Sequence, residues 1–403
     1  MQSSSYKSIS YVLFIYWVVL VLWQNISGLD AKSTGDLIVK AGLFSYLFIS
    51  YVLRSNFKLR NPVPLLLFLL TQMVSLYGES GITVSIIVSY SFTIIAVFCV
   101  YGLGYSFEIS RKDYIWFLNS IIIVSLYCAL YAFVFCSAQF ANAFTITNAY
   151  GNELSSFFTS SHEYGLYMSA GIIACTICIE KEQKVKYKWF YIIGLLVFVP
   201  NLLLTFSRTT ILGTAVFFFS FILFTKTNSL KKYMFLAFLT IIIVIALRPD
   251  IQNYLVNVVL KGNMMGSREL LYQLAIEMMN NANIFQKLFG YGIYYSRSVF
   301  ERITTHGSVH NAYLQVVLYF GWIGLIWFVF AIVHQFVAVF KIRNKNMYWS
   351  SVNLSLLFWA ISMMFTNTFI LFNSAVDSFF MTIYSVIIPL GVCKSIQNNS
   401  FDE

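Results

Sequence analysis

Arg208, Arg268 and His310 are the residues of this chain whose types could act together on one substrate. An arginine carries a planar fork of N–H donors that matches phosphate oxygens and never loses its charge. A histidine has an unperturbed pKa near 6.5, so it can accept or orient the proton of an attacking hydroxyl at neutral pH. Arg208 separates two apolar runs in Phe206-Ser207-Arg208-Thr209-Thr210, and Arg268 follows Gly266-Ser267. His310-Asn311 opens a further apolar run that continues through Tyr313, Leu314 and Gln315 to Gly321 and Gly324. Taken singly, each has a plainer explanation: an arginine at a helix end can snorkel to the interface, and a histidine at a helix mouth is often a satisfied interfacial residue. Taken together, two arginines and a titratable histidine on one face predict a site for an anionic head group. Asp377, near the outer end of the last apolar run, is a further candidate, although an ion pair to an arginine would explain it equally well. His162 and Glu163 have no assigned role, and His334, deep in its apolar run, reads as structural.

The elements that must position these residues follow from composition. Of 403 residues 59% are hydrophobic and only 10% charged, and the mean hydropathy is +0.74. An ordinary soluble domain carries about 25% charged residues, so this chain cannot cover a water-facing surface. A soluble enzyme, a nucleic-acid-binding module and a disordered scaffold are thereby excluded. An all-α, polytopic membrane protein remains, because lipid leaves backbone groups no partner outside a helix. With roughly 20 apolar residues per crossing, the runs predict about twelve transmembrane helices. They lie near 9–27, 37–53, 62–78, 82–103, 114–138, 164–180, 188–206, 209–225, 233–248, 309–340, 350–371 and 376–393. The first run has no small-residue cleavage site after Trp23 and reads as a retained helix rather than a signal peptide.

The net charge of +10 tests the topology. With the N-terminus in the cytoplasm, 17 of the 26 Lys and Arg fall inside, against six of the 16 acidic residues. That asymmetry predicts an even number of helices with both termini cytoplasmic. All the candidate site residues then lie on the external face.

Two external segments exceed simple turns, about 139–163 and 249–308, and 1–403 otherwise reads as one integral membrane domain. The longer segment holds an expected helix at 267–280, with Ser267 as its N-cap and Glu269 in its first turn. Loops of this length are usually lids or binding loops, and an ordinary surface loop is the alternative. The six cysteines all fall inside spans, so no disulfide framework is expected, and Cys175-x-x-Cys178 reads as helix packing rather than a metal site. External loops contain no Asp-x-Asp pair and no Cys/His/carboxylate cluster, so neither a metal nor another cofactor is expected.

At these residues the sequence resembles the O-antigen ligase/polymerase superfamily of bacterial envelope glycosyltransferases. The resemblance is carried by 204–213 with Ser207-Arg208, by Gly266-Ser267-Arg268-Glu269-Leu270-Leu271, and by His310-Asn311-Ala312-Tyr313-Leu314 running into Gly321-Trp322-Ile323-Gly324. A weaker match covers 157–165, where the family often has Pro-Asn or His-Asn and this chain has His162-Glu163. A tryptophan common three residues after the second arginine is Leu271 here.

The resemblance implies a GT-C-like fold and a donor and an acceptor that are both linked to undecaprenyl diphosphate. It also implies metal-independent catalysis at the external face of the bacterial inner membrane. It casts Arg208 and Arg268 as holding the diphosphate and His310 as base or orienting group. Ser207 and Asn311 would help to bind substrate, and Tyr291, Tyr294 and Tyr295 would offer faces to sugar rings. A Wzy-type polymerase of O-antigen or a related surface polysaccharide is the expected member, with a chain-length regulator as an expected partner and no nucleic acid partner. The alternatives are a ligase moving glycan onto lipid A core and, from a different class, a flippase for lipid-linked oligosaccharides. A flippase would be expected to show an internal repeat, and none is visible between 1–200 and 201–403.

Overall fold

The computed structural model describes residues 62–79, 81–91 except 85, 88 and 89, 109–144, 153–181 except 159, 185–224, 268–303, 308–340 and 388–398. The expected spans near 9–27, 37–53, 233–248 and 350–371, together with Ser267 and Asp377, lie outside the described residues. Those near 82–103 and 376–393 are described only in part.

Every regular element among the described residues is a helix. In chain order these are α1 (Pro62–Tyr77), α2 (Arg111–Phe135), α3 (Ser137–Phe144), α4 (Ser161–Lys181), α5 (Val185–Leu204) and α6 (Arg208–Phe224). They continue as α7 (Arg268–Asn281), α8 (Ile284–Phe289), α9 (Ile293–Ile303), α10 (Ala312–Phe340) and α11 (Ile388–Gln397). Each apolar run in a described region has become a helix with ends shifted by a few residues, and the segment expected to be external is helical over α7 to α9. Among the described residues its first helix, α7, starts at Arg268, next to the expected N-cap. Arg111–Phe135 and Ala312–Phe330 are long and apolar enough to cross a membrane.

The distribution of polarity is that of a bundle in lipid. Trp189, Ile193, Leu196, Val199 and Leu203 of α5 are exposed, as are Trp322, Ile326, Val329, Val333 and Val337 of α10. Steps of three and four residues put each set on one helix face. Meanwhile Ser125, Ser169, Thr176, Asn201, Thr205, Thr210 and Thr214 are buried. Apolar surface can face lipid at no cost, whereas buried hydroxyls and amides must find partners inside. They do: Thr214 Oγ1 donates to Ser169 Oγ at 2.9 Å, joining α6 to α4. Ser125 Oγ donates to the Tyr167 carbonyl at 2.9 Å, joining α2 to α4. Cys175 and Cys178 are buried in α4, and a Cβ built on Gly194 of α5 would lie 2.9 Å from Cys175 Sγ. These cysteines pack helices together, as their apolar setting predicts.

Two features fasten α8 and α9 to the bundle. The first is a break in α10 at Gly321, whose φ of 68° and ψ of −169° are open to glycine alone. The break frees carbonyls that the helix would otherwise use. Tyr291 N–H donates to Leu318 O at 2.7 Å and Gly292 N–H to Tyr319 O at 3.2 Å, while Ser75 Oγ of α1 donates to Tyr319 O at 2.6 Å.

The second is Glu79, buried just beyond α1. Its carboxylate accepts from Tyr294 N–H at 3.0 Å and Tyr295 N–H at 2.8 Å, the open N-terminal turn of α9. Tyr90 OH donates to the same group at 3.0 Å. A carboxylate suits this position because it meets the positive end of the helix dipole. Glu79→Gln removes the charge and replaces one acceptor by a donor facing N–H groups. The expected loss is about 1–3 kcal/mol, read as a lower thermal midpoint and faster proteolysis within 268–303.

Candidate active site

The site forms where α4, α6, α7 and α10 begin. Its floor is the turn between α5 and α6. Pro200 lies inside α5, and Asn201 at the next position donates from Nδ2 to Val197 O at 2.9 Å. Asn201 Oδ1 accepts from Tyr164 OH at 2.7 Å, tying α5 to the first turns of α4. The chain then reverses through Phe206, which has a φ of 49°. Thr205 Oγ1 accepts from Ser207 N–H at 3.2 Å and itself donates to Leu202 O at 2.7 Å. Ser207 occupies the N-cap position of α6, where its carbonyl accepts from Ile211 N–H at 3.0 Å. Arg208 is therefore the first residue of α6 and half-buried.

His162, in the first turn of α4, stands over this turn. Its Nδ1 lies 2.9 Å from Ser207 Oγ and 3.1 Å from Thr209 Oγ1, so the two hydroxyls flanking Arg208 both converge on one imidazole nitrogen. The approach is close because Gly165 follows one turn later: a Cβ there would lie 2.7 Å from Thr210 Oγ1. Its other ring nitrogen, Nε2, is sealed from solvent and has no hydrogen-bond partner. Burial, and then the positive charge of Arg268 and of His310, pulls the His162 pKa from 6.5 down to about 4. Arg268 and His310 are therefore within electrostatic reach of His162.

Arg268 opens α7. Burial draws its pKa below the usual arginine range, the Tyr272 hydroxyl one turn along holds it up by a hydrogen bond, and the neighbouring charge of Arg208 lowers it. It stays protonated, since guanidinium does not lose its proton in proteins. His310 precedes α10 with a φ of 55°. Among the described residues the non-glycine positions with positive φ are Ser156, Phe206 and His310, and two of the three border this site. Strain of that kind persists where the surroundings over-determine it, which is common at functional sites. Four cationic or titratable side chains from segments near 162, 208, 268 and 310 thus converge. Clustered positive charge repels itself, and an anion is what relieves it.

The remaining expected residues are distributed differently. Asn311 Oδ1 accepts from Tyr313 N–H at 3.0 Å and Leu314 N–H at 3.2 Å, so this oxygen caps α10. Tyr291 is buried, donates from its hydroxyl to Met278 O at 2.7 Å and stacks on Tyr295 with centroids 5.7 Å apart. Tyr291 thereby binds α7 to the loop preceding α9, and the half-buried Tyr294 and Tyr295 lie on α9. Arg297 pairs with Glu301 at 2.6 Å on the exposed face of α9, away from this chemistry. Among the described residues no group of three or more His, Cys, Asp and Glu is placed to hold a metal ion.

Residues 193–329, about a third of the chain, match the family described as O-Antigen ligase. Over this segment the chain is similar to the O-antigen ligase family. No curated protein matches it. The matched segment contains Arg208, Arg268, His310 and Gly321, the residues that carry the resemblance. With its apolar helices, it makes the protein a helical membrane enzyme of polysaccharide chemistry, broadly of glycosyl-transferring type. His162 and Glu79 lie outside the segment that matches the superfamily. The sequence offered no spacing rule to join His162 to Ser207, because 45 residues separate them.

A pH dependence follows from the burial of His162. Its folded pKa of about 4 lies below the ordinary 6.5, so between those values the unfolded chain binds the extra proton. The stability associated with neutral His162 is therefore complete above pH 6.5 and is lost as the pH falls towards 4. In thermal unfolding of ligand-free protein, wild type should lose stability over this window more steeply than His162→Gln. Parallel pH profiles for the two would refute the assignment.

Proposed function

We propose that the protein is a metal-independent membrane glycosyltransferase that polymerises oligosaccharide repeat units linked to undecaprenyl diphosphate. The product is O-antigen or a related surface polysaccharide. The supporting observation is the convergence of Arg208, Arg268 and His310, from three separate segments, around one buried imidazole. A diphosphate matches that charge, and the arginine fork can bind it without a divalent cation. The reaction runs at the external face of the bacterial inner membrane, on a chain of about twelve spans with both termini cytoplasmic. The pairing of Ile109 N–H with Ser395 Oγ at 2.6 Å supports that arrangement, since both residues belong to the segments assigned to the cytoplasmic side.

In the proposed step an acceptor-sugar hydroxyl oxygen attacks the anomeric carbon of the donor. The new C–O bond forms as the bond to the diphosphate oxygen breaks. The departing electron pair stays on the diphosphate, where Arg208 and Arg268 stabilise the added charge. The hydroxyl proton passes to His310. In-line displacement inverts the anomeric configuration. Tyr294 and Tyr295 offer faces to the sugar rings, and a chain-length regulator is the proposed protein partner.

The family's description favours a second reading, the transfer of glycan to lipid A core by a ligase. Purified protein incubated with a lipid-diphosphate oligosaccharide, with and without lipid A core, separates these readings. A ladder of longer lipid-linked products supports the polymerase, and glycosylated core supports the ligase. Absence of any new glycosidic bond overturns both and favours transport.

A further inference from the structure

The His162 imidazole is held at one nitrogen and unpartnered at the other. Ser207 Oγ and Thr209 Oγ1 fix Nδ1 at 2.9 and 3.1 Å, which sets the plane of the ring. Nε2 is buried without a partner. A buried polar atom left unsatisfied forfeits a hydrogen bond that water would otherwise supply, so such atoms in native proteins usually have a purpose. This one lies among positive groups. Arg208 stands between the two hydroxyls that hold the ring, and Arg268 and His310 act on it through space.

We propose that His162 Nε2 is a third donor to the anionic group of the substrate, beside Arg208 and Arg268, and that His162 takes up a proton as that anion binds. The proposal rests on the diphosphate reading of the site and deepens it. In the ligand-free protein the ring is neutral, because burial and the charges of Arg268 and His310 oppose the imidazolium. The other ionisable groups to consider are Glu163 on its own helix, Glu153, whose carboxylate accepts from Ser161 Oγ at 3.5 Å, Arg208 between the two hydroxyls, and Tyr272, which bonds Arg268. A diphosphate seated among the arginines reverses the local potential and stabilises the charged ring. The sign follows: His162 enhances anion affinity as the pH falls from its raised, ligand-bound pKa towards about 4, and the enhancement fades above the bound value. A neutral imidazole also avoids a third permanent charge in the empty site. That would let the diphosphate leave more readily once the proton is lost.

The test uses full-length protein in detergent and a short-chain prenyl diphosphate as probe. His162→Asn keeps a polar atom near the Nδ1 position, facing Ser207 and Thr209, but supplies nothing at Nε2. At pH 6 it should bind the probe at least about tenfold more weakly than wild type, and at pH 8 the difference should shrink. The chain has only four histidines, so 15N ring signals can be assigned by single variants. Those of His162 should move from neutral to imidazolium when wild type binds the probe at pH 6. This second measurement needs no variant to fold with altered packing. His162 signals that stay neutral in the bound wild type would overturn the inference, as would wild-type affinity in His162→Asn. If probe binding also survives in Arg208→Gln and Arg268→Gln, the diphosphate reading itself falls. If those variants lose binding while His162 remains silent, only the role of His162 falls.

Discussion

Arg268→Gln should lower glycosyl transfer at least about a hundredfold while leaving the protein folded. Arg268 is fixed at the first turn of α7, where Tyr272 one turn on bonds its guanidinium and Arg208 adds a second positive charge close by. That pairing of like charges raises the energy of the empty site and lowers it again when a diphosphate arrives. Charge growing on the leaving group strengthens the same bonds in the transition state. Removing one preorganised donor of this kind typically costs a factor of 10²–10³ in rate. Arg268→Lys should retain part of the activity, because it keeps the charge and loses the bidentate fork. Arg297→Gln is the matched control: its partner is Glu301, an exposed pair one turn away, and pairs of that kind contribute little. The measurement is product length and yield from a lipid-linked donor at equal protein levels. Wild-type product from Arg268→Gln would remove this residue from the mechanism.

Gly321→Ala should unseat the external helices and abolish activity without touching the site. A Cβ at Gly321 would lie 2.2 Å from the Leu288 carbonyl oxygen and 2.4 Å from Phe289 N, both backbone atoms that cannot swing away. The facing residue is just as constrained. A Cβ at Gly290 would lie 2.4 Å from Tyr319 C. Backbone meets backbone here because the break in α10 admits the α8–α9 segment, so the substitution must separate them. The dihedral strain alone costs about 1–3 kcal/mol, and the loss of the Tyr291 and Gly292 hydrogen bonds adds to it. Thermal unfolding of the detergent-solubilised protein should show a clear drop, with new protease cleavage within 268–303. Gly81→Ala is the control, since nothing lies within 4 Å of its built Cβ. Unchanged stability in Gly321→Ala would show that the kink tolerates a side chain and is not what seats the loop.

These two residues also show how the sequence and the fold divide the information. Arg268 was visible in the sequence as a second permanent charge on the face predicted to hold Arg208 and His310, and as part of the Gly266-Ser267-Arg268 segment that carries the resemblance. Gly321 was visible as part of a motif, but its role was not. A glycine in an apolar helix reads as ordinary small-residue packing until the segment that enters the kink is placed against it. Asn311 and Tyr291 show the opposite limit. Their residue types suit sugar binding, and the fold gives the Asn311 carboxamide oxygen and the Tyr291 hydroxyl to backbone partners instead.

The sequence by itself determined the class of environment and the helical architecture of the described regions. It also determined which charged residues had to be explained. Those follow from one-dimensional physics: apolar runs long enough for lipid, and charges that lipid excludes. Only the tertiary structure brought residues near 162, 208, 268 and 310 within electrostatic reach of one another. It likewise decided that His162 has one nitrogen clamped and the other buried without a partner, and that Glu79 pins a helix more than two hundred residues away. Those facts depend on which helix ends meet in space. No local propensity or periodicity encodes such meetings; they are set by how the small residues, buried hydroxyls and backbone breaks of the separate helices fit one another.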